Sequence, residues 1–137
     1  MATNLLTVEN QKGIVVGGND LKQSFQVDST VSADLKAGQY VALNAAGNLV
    51  EASGTTKGVG FVAYNPTKGF GAGEPQVVYM DNVFMIMEAG AAIDAGAELQ
   101  VAASQKVITK AGANAVCGIA LTAASADGDL ILVQIKQ

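Results

Sequence analysis

The chain has 137 residues, of which half are apolar and 15% charged, with a formal charge of −4. That length suits one domain with a real core, and the composition excludes disorder throughout. The eight basic residues are lysines spread singly and arginine is absent, which argues against a nucleic-acid surface and removes the usual bidentate clamp for phosphate or carboxylate.

Residues 1–20 have no clean period and end on the turn cluster Gly17-Gly18-Asn19-Asp20. They read either as a frayed terminus or as an extended N-terminal arm whose anchors Leu5, Leu6, Val8, Ile14, Val15 and Val16 order on a partner. No charged segment followed by an apolar one marks a signal peptide, and no apolar run approaches the ~20 residues of a membrane-spanning helix.

Strand signals begin after Leu21. Ser24 to Asp28 alternates with period two, Gln39 to Leu43 and Leu49 to Ala52 flank a hairpin turn at Asn44–Asn48, and the glycine-spaced run Gly58 to Tyr64 follows. Asn65 to Pro75, with both prolines and three glycines, is the longest loop-like stretch. Gln76 to Met80 and Val83 to Met87 flank Asp81-Asn82, as two strands about a tight turn or as one bulged strand. The second run is apolar on both faces, which suits a fully buried central strand or one whose outer face packs on another subunit.

Glu88 to Leu99 is alanine-rich, but Gly90 and Gly96 would each cost ~1 kcal/mol inside a helix, so turn plus strand is expected. Glu98 to Ala102 and Val107 to Lys110 form a second hairpin, Val116 to Leu121 another strand, and Leu130 to Ile135 a long apolar one. The expected core is Val41, Leu43, Leu49, Phe61, Leu99, Val101, Val107, Ile119, Leu132 and Val133.

A shift of 58 positions lays the chain on itself without a gap. Leu35-Lys36-Ala37-Gly38 falls on Ile93-Asp94-Ala95-Gly96, Gly54 on Gly112, and Gly60-Phe61 on Gly118-Ile119. Composition alone would not keep those gaps equal. The expected fold is all-β: a compact β-barrel or sandwich-like domain over 21–137, made of two similar β units (about 21–78 and 79–135), with an extended N-terminal arm over 1–20.

Side-chain chemistry is sparse. There is no histidine, and Cys117 lies in an apolar strand-like run, where a buried inert thiol is expected. Ordinary zinc and iron sites cannot be built from this set. Asp127 and Asp129 flank a turn glycine, where local backbone hydrogen bonds account for them. Gly69-Phe70-Gly71-Ala72-Gly73 lacks the Lys-Ser/Thr ending of a phosphate loop. No catalytic, cofactor or metal residues emerge.

From Asn82 onward the order of motifs is distinctive: the apolar strand Val83-Phe84-Met85-Ile86, Ala95-Gly96 leading to a strand, Gly118-Ile119-Ala120-Leu121, an Ala-rich turn, and Gly128-Asp129 leading into Leu130-Ile131-Leu132-Val133. This order resembles the capsid cement, or head-decoration, proteins of tailed bacteriophages. The resemblance implies a small, non-enzymatic all-β protein, made in the host cytoplasm, that binds the major capsid protein on the outer surface of the virion, often as a homotrimer, and stabilises the head. It brings no cofactor, nucleic-acid or membrane partner. On this reading Leu5, Leu6, Val8, Ile14, Val15 and Phe70 are candidate capsid contacts. Phe61, Tyr64, Val83, Phe84, Met85, Ile86 and Met87 are candidate subunit contacts. A small ligand- or carbohydrate-binding module is the alternative; it wants exposed aromatic platforms, and the chain has no tryptophan.

Overall fold

In the computed structural model, the described residues are 12–18, 22–31, 35–54, 56–62, 73 and 75–136. Eleven strands run β1 (Val15–Gly18), β2 (Lys22–Gln26), β3 (Tyr40–Leu43), β4 (Leu49–Glu51), β5 (Gly60–Val62), β6 (Pro75–Tyr79), β7 (Val83–Glu88), β8 (Glu98–Val101), β9 (Val107–Thr109), β10 (Gly118–Ala120) and β11 (Leu130–Ile135). No helix occurs among the described residues. The glycines that interrupt Glu88 to Leu99 leave it as turn and strand.

All strand pairs are antiparallel, in two sheets. The first is ordered β2-β6-β5-β3-β4 and the second β1-β7-β11-β10-β8-β9. Without β1 the two orders are the same, with β7, β11, β10, β8 and β9 standing where β2, β6, β5, β3 and β4 stand. The last three correspondences keep one offset of 58 residues, from Tyr40 to Glu98, Leu49 to Val107 and Gly60 to Gly118. Each sheet curls until a parallel bridge joins its ends, Val27 to Leu49 in the first and Ala89 to Val107 in the second. The same backbone bond accompanies each bridge: Asp28 N–H donates to Leu49 O at 3.0 Å, and Gly90 N–H to Val107 O at 2.8 Å.

Gly60 and Gly118 occupy equivalent places because the neighbouring strand comes too close for a side chain. A Cβ on Gly118 would lie 2.5 Å from the Gln134 carbonyl oxygen, and one on Gly60 would run into the Tyr79 carbonyl.

Strand alternation then divides the apolar residues. Val27, Leu35, Val41, Leu49, Val62 and Val78 fill the inside of the first sheet. Tyr40, Ala42 and Phe61 point from its other face into the cluster formed by Met85, Met87, Leu99, Val107, Val133 and Ile135 of the second. One core therefore spans both sheets. At its centre the Tyr40 and Phe61 rings pack with centroids 4.9 Å apart.

Asp81-Asn82 does form a tight turn, with Asn82 at φ 61°, but not a hairpin. Strands β6 and β7 belong to different sheets, and Asn82 N–H donates to Ile135 O at 2.8 Å as the chain changes sheet. Among the expected core residues, Leu43 is 37% exposed, and Ile119 and Leu132 lie half-buried on the outer face of the second sheet.

Truncating Phe61 to Ala should cost ~3–5 kcal/mol through lost burial and a residual cavity. Leu43→Ala should stay within about 0.5 kcal/mol. Urea unfolding of the two variants beside the parent checks both.

Candidate functional site

The arm does not hang free where it can be followed. Gly13 N–H donates to Ile86 O at 2.7 Å, Ile86 N–H donates to Ile14 O at 2.9 Å, and β1 continues as the strand outside β7 with a bulge between Val15 and Gly17. Val15 packs on the shared core. Ile14 and Val15, candidate capsid contacts, cover the β7 edge, whose outward backbone groups require partners. Leu5, Leu6, Val8 and Phe70 lie outside the described residues.

Lys12 and Gly13 cross from the second sheet to the first. A Cβ on Gly13 would stand 2.7 Å from Gly38 N, so backbone meets backbone there. Lys12 Nζ donates to Gln105 O at 2.9 Å. Burial lowers the Lys12 pKa from its usual value, with Glu88 opposing the shift and Lys106 adding to it.

Gln105 is the keystone of that junction. It occupies the β8–β9 turn, where Ala102 N–H donates to Lys106 O and Gln105 N–H to Ala102 O. The β3–β4 turn makes the same two bonds through Asn44, Asn48 and Gly47. Gly47 adopts φ 82° without penalty, whereas Gln105 holds φ 64°, a conformation costing a non-glycine residue ~1 kcal/mol. Its side chain supplies the compensation. Tyr40 N–H donates to Gln105 Oε1 at 2.8 Å, and Gln105 Nε2 donates to Ala52 O at 2.8 Å. Ala52 N–H still donates directly to Tyr40 O at 3.1 Å. The carboxamide thus completes the end of the β3–β4 pair from the other sheet. Gly54 N–H to Val101 O (2.8 Å) and Ala115 N–H to Gly54 O (3.2 Å) add to the joint.

The candidate subunit residues separate by parity. Phe61, Val83, Met85 and Met87 are fully buried in the core and offer no surface, which corrects that part of the expectation: β7 alternates, and its odd positions face inward. Phe84 and Ile86 face outward and are half-buried, and Tyr64 lies outside the described residues. Ile86 stands opposite Leu132, and Leu121 N–H donates to Leu132 O. Ile86, Leu132 and Leu121, the last 40% exposed, therefore run across the outer face of the second sheet.

The polar clusters serve the fold. Asp28 Oδ2 accepts from Thr30 N–H (3.0 Å) and Thr30 Oγ1, and Oδ1 accepts from Asn44 Nδ2 (2.7 Å) and Asn48 Nδ2 (3.3 Å). This carboxylate joins the end of β2 to the β3–β4 turn beside the first parallel bridge. The Thr30 side-chain and backbone bonds, then the Asn44 amide, hold its pKa far below the usual carboxylate range. Asp129 accepts from Ser125 N–H, Ser125 Oγ and Ala126 N–H, which lowers its pKa as well. Asp127 pairs with Lys106 at 2.9 Å, and Glu88 lies 3.4 Å from the same ammonium. The buried Cys117 thiol is pushed up to about 12 by desolvation. Among the described residues, no group of three or more His, Cys, Asp or Glu could hold a metal ion.

A family model for phage cement proteins matches residues 7–135. The fold is similar to the N-terminal base of head fiber gp8.5 of bacteriophage phi29, with a TM-score of 0.60 and 19% identity, over 85% of this chain and 93% of that one. No curated protein matches the sequence. The chain belongs to the phage cement protein family and is a structural protein of the virion.

Two predictions follow from the junction and the turn. Gln105→Ala should destabilise by ~1–3 kcal/mol, leaving Tyr40 N–H and Ala52 O without the amide, as read by chemical denaturation. Asp28 stabilises the native state while ionised, because its folded pKa lies below its unfolded one. That stabilisation is complete above the ordinary carboxylate range and fades as acid titrates the unfolded chain and then the native carboxylate. Asp28→Ala should therefore melt below the parent at pH 7, with the gap closing below about pH 4.

Proposed function

We propose that this protein binds the outer surface of a phage head as a non-enzymatic cement, in contact with the major capsid protein. The family match over residues 7–135 carries this reading. The structure supports it in two ways. The polar side chains that stand out as clusters are engaged in turns and ion pairs, and the two sheets are tied into one unit by a shared core, the Gln105 amide and the Lys12–Gly13 strap.

The matching strand orders support a single domain over 21–137 built by internal duplication, with residues 1–20 as its leader. We assign subunit contact to the outer face of the second sheet, where Phe84, Ile86, Leu132 and Leu121 lie. The equivalent face of the first sheet is partly consumed inside the chain, where Tyr40, Ala42 and Phe61 pack into the shared core, while Ser24 and Val77 stay exposed. A homotrimer built on that face would present three capsid-binding surfaces at once, and modest individual contacts then combine through high effective concentration.

Light scattering of the purified protein tests the assembly. A trimer of about 41 kDa, three times the 13.8 kDa chain, is expected. Combining Ile86→Lys with Leu132→Lys should shift it to monomer while leaving the circular dichroism spectrum unchanged. Co-sedimentation with undecorated heads of the parent phage tests the function. A folded protein that stays in the supernatant at micromolar concentration refutes the cement reading.

A further inference from the structure

Two units of one design meet inside this chain, and the parts that meet there exist a second time. In the joint between the units, the Tyr40–Ala52 pair keeps the bond from Ala52 N–H to Tyr40 O and takes the Gln105 amide in place of the return bond. Gly54, just beyond that pair, donates its N–H to Val101 O at 2.8 Å. Val101 itself is only 2% exposed and belongs to the shared core.

The 58-residue offset carries each part to a counterpart. Glu98 and Lys110 stand for Tyr40 and Ala52, Gly112 for Gly54, and Leu43 for Val101. The backbone repeats at each place. Lys110 N–H donates to Glu98 O at 2.8 Å, as Ala52 N–H does to Tyr40 O, and Gly112 holds φ 55° where Gly54 holds φ 64°.

The partners do not repeat. The N–H and C=O of a strand residue leave the strand on the same side, so Glu98 N–H is directed toward Lys110, yet no return bond forms. Leu43 faces Leu49 one step before the bonded Asn44–Asn48 pair, so its own N–H and C=O point away from β4. Among the described residues, Glu98 N–H, Lys110 O, Gly112 N–H and Leu43 O take no hydrogen-bond partner. Glu98 and Gly112 are exposed, and Leu43 is 37% exposed where Val101 is sealed. The second unit thus carries a receiving half, and the first unit the half that would enter it.

We propose that a second copy of this chain supplies the missing half: its Leu43 and β3–β4 turn dock on Glu98, Lys110 and Gly112, repeating between copies the joint made within each. Leu43 O then accepts from Gly112 N–H, and the leucine side chain is covered as that of Val101 is. Gly47 replaces Gln105 in the entering turn, and a Cβ there would meet nothing within 4 Å. The turn's own peptide groups, the same donor and acceptor types as a carboxamide, can therefore approach Glu98 N–H and Lys110 O. Unlike surfaces meet, so the contact is heterologous, and three such contacts close a trimer. The inference rests on the outer face of the second sheet being the subunit contact. Glu98 faces Ile119, Ile119 faces Gln134, and Gln134 faces Phe84 in one row across it.

Cross-linking tests the joint. Ala46 and Ala111 are exposed, one on the entering turn and one between Lys110 and Gly112, and the buried Cys117 stays silent toward a maleimide. The full chain carrying both Ala46→Cys and Ala111→Cys should link into dimers and trimers with a short bismaleimide, whereas each single variant should not. Leu43→Asp should keep the melting profile of the dilute, dissociated chain and weaken assembly at least about tenfold, because a carboxylate would be buried there without a partner. An assembled double-cysteine protein that forms no linked species overturns the joint, whether or not Leu43→Asp folds. So does full-strength assembly of a folded Leu43→Asp. Single variants that link to themselves assign the contact to like surfaces and overturn it too. A parent that light scattering finds monomeric at every concentration overturns the subunit reading itself, and this joint with it.

Discussion

Everything in this molecule depends on how two small curled sheets are prevented from sliding on each other, and one side-chain amide is placed to resist it. A shared apolar core resists separation but is weakly directional, since dispersion and burial tolerate small displacements. Gln105 adds direction. Its oxygen and nitrogen are matched to a donor and an acceptor at the end of one strand pair, so a shift of an ångström would break both bonds. The left-handed backbone at that residue is the strain that such placement requires, and the counterpart turn, with open space beside the equivalent position, uses Gly47 there.

The leader acts on the same joint from outside. Lys12 reaches the Gln105 carbonyl while Gly13 lies against Gly38, so one short segment touches the turn of the second unit and the backbone of the first. Glu88, Lys106 and Asp127 extend this edge as a small ion-pair network. Partly exposed pairs of that kind add little to stability individually. The fold is therefore held by core, amide and strap, with surface charge left chiefly to solubility.

Much of this was legible in the sequence, for identifiable reasons. The 58-residue offset was visible because turns and close approaches constrain residue type: Gly60 and Gly118 must lack a Cβ for the adjacent carbonyl, and that requirement survives when the surrounding side chains differ. The sheet change at Asp81-Asn82 was not, since a turn between two apolar runs looks the same whether the strands pair or part. The two-sided apolar character of Val83 to Met87 was readable, but not how it is divided: its odd positions fill the core and its even positions face outward. Gln105 left one usable signal. Aligned by the repeat, it falls on Gly47, and a non-glycine residue in a left-handed turn needs a partner to justify it.

The sealed cysteine has a further consequence. Outside a reducing compartment, thiols meet oxidants and one another. With its pKa raised to about 12 and its sulfur enclosed by the core, Cys117 has almost no thiolate to offer disulfide exchange, peroxide or a neighbouring copy. As long as the fold holds, this sulfur is thus withheld from oxidative cross-linking, and no redox clock runs at the residue.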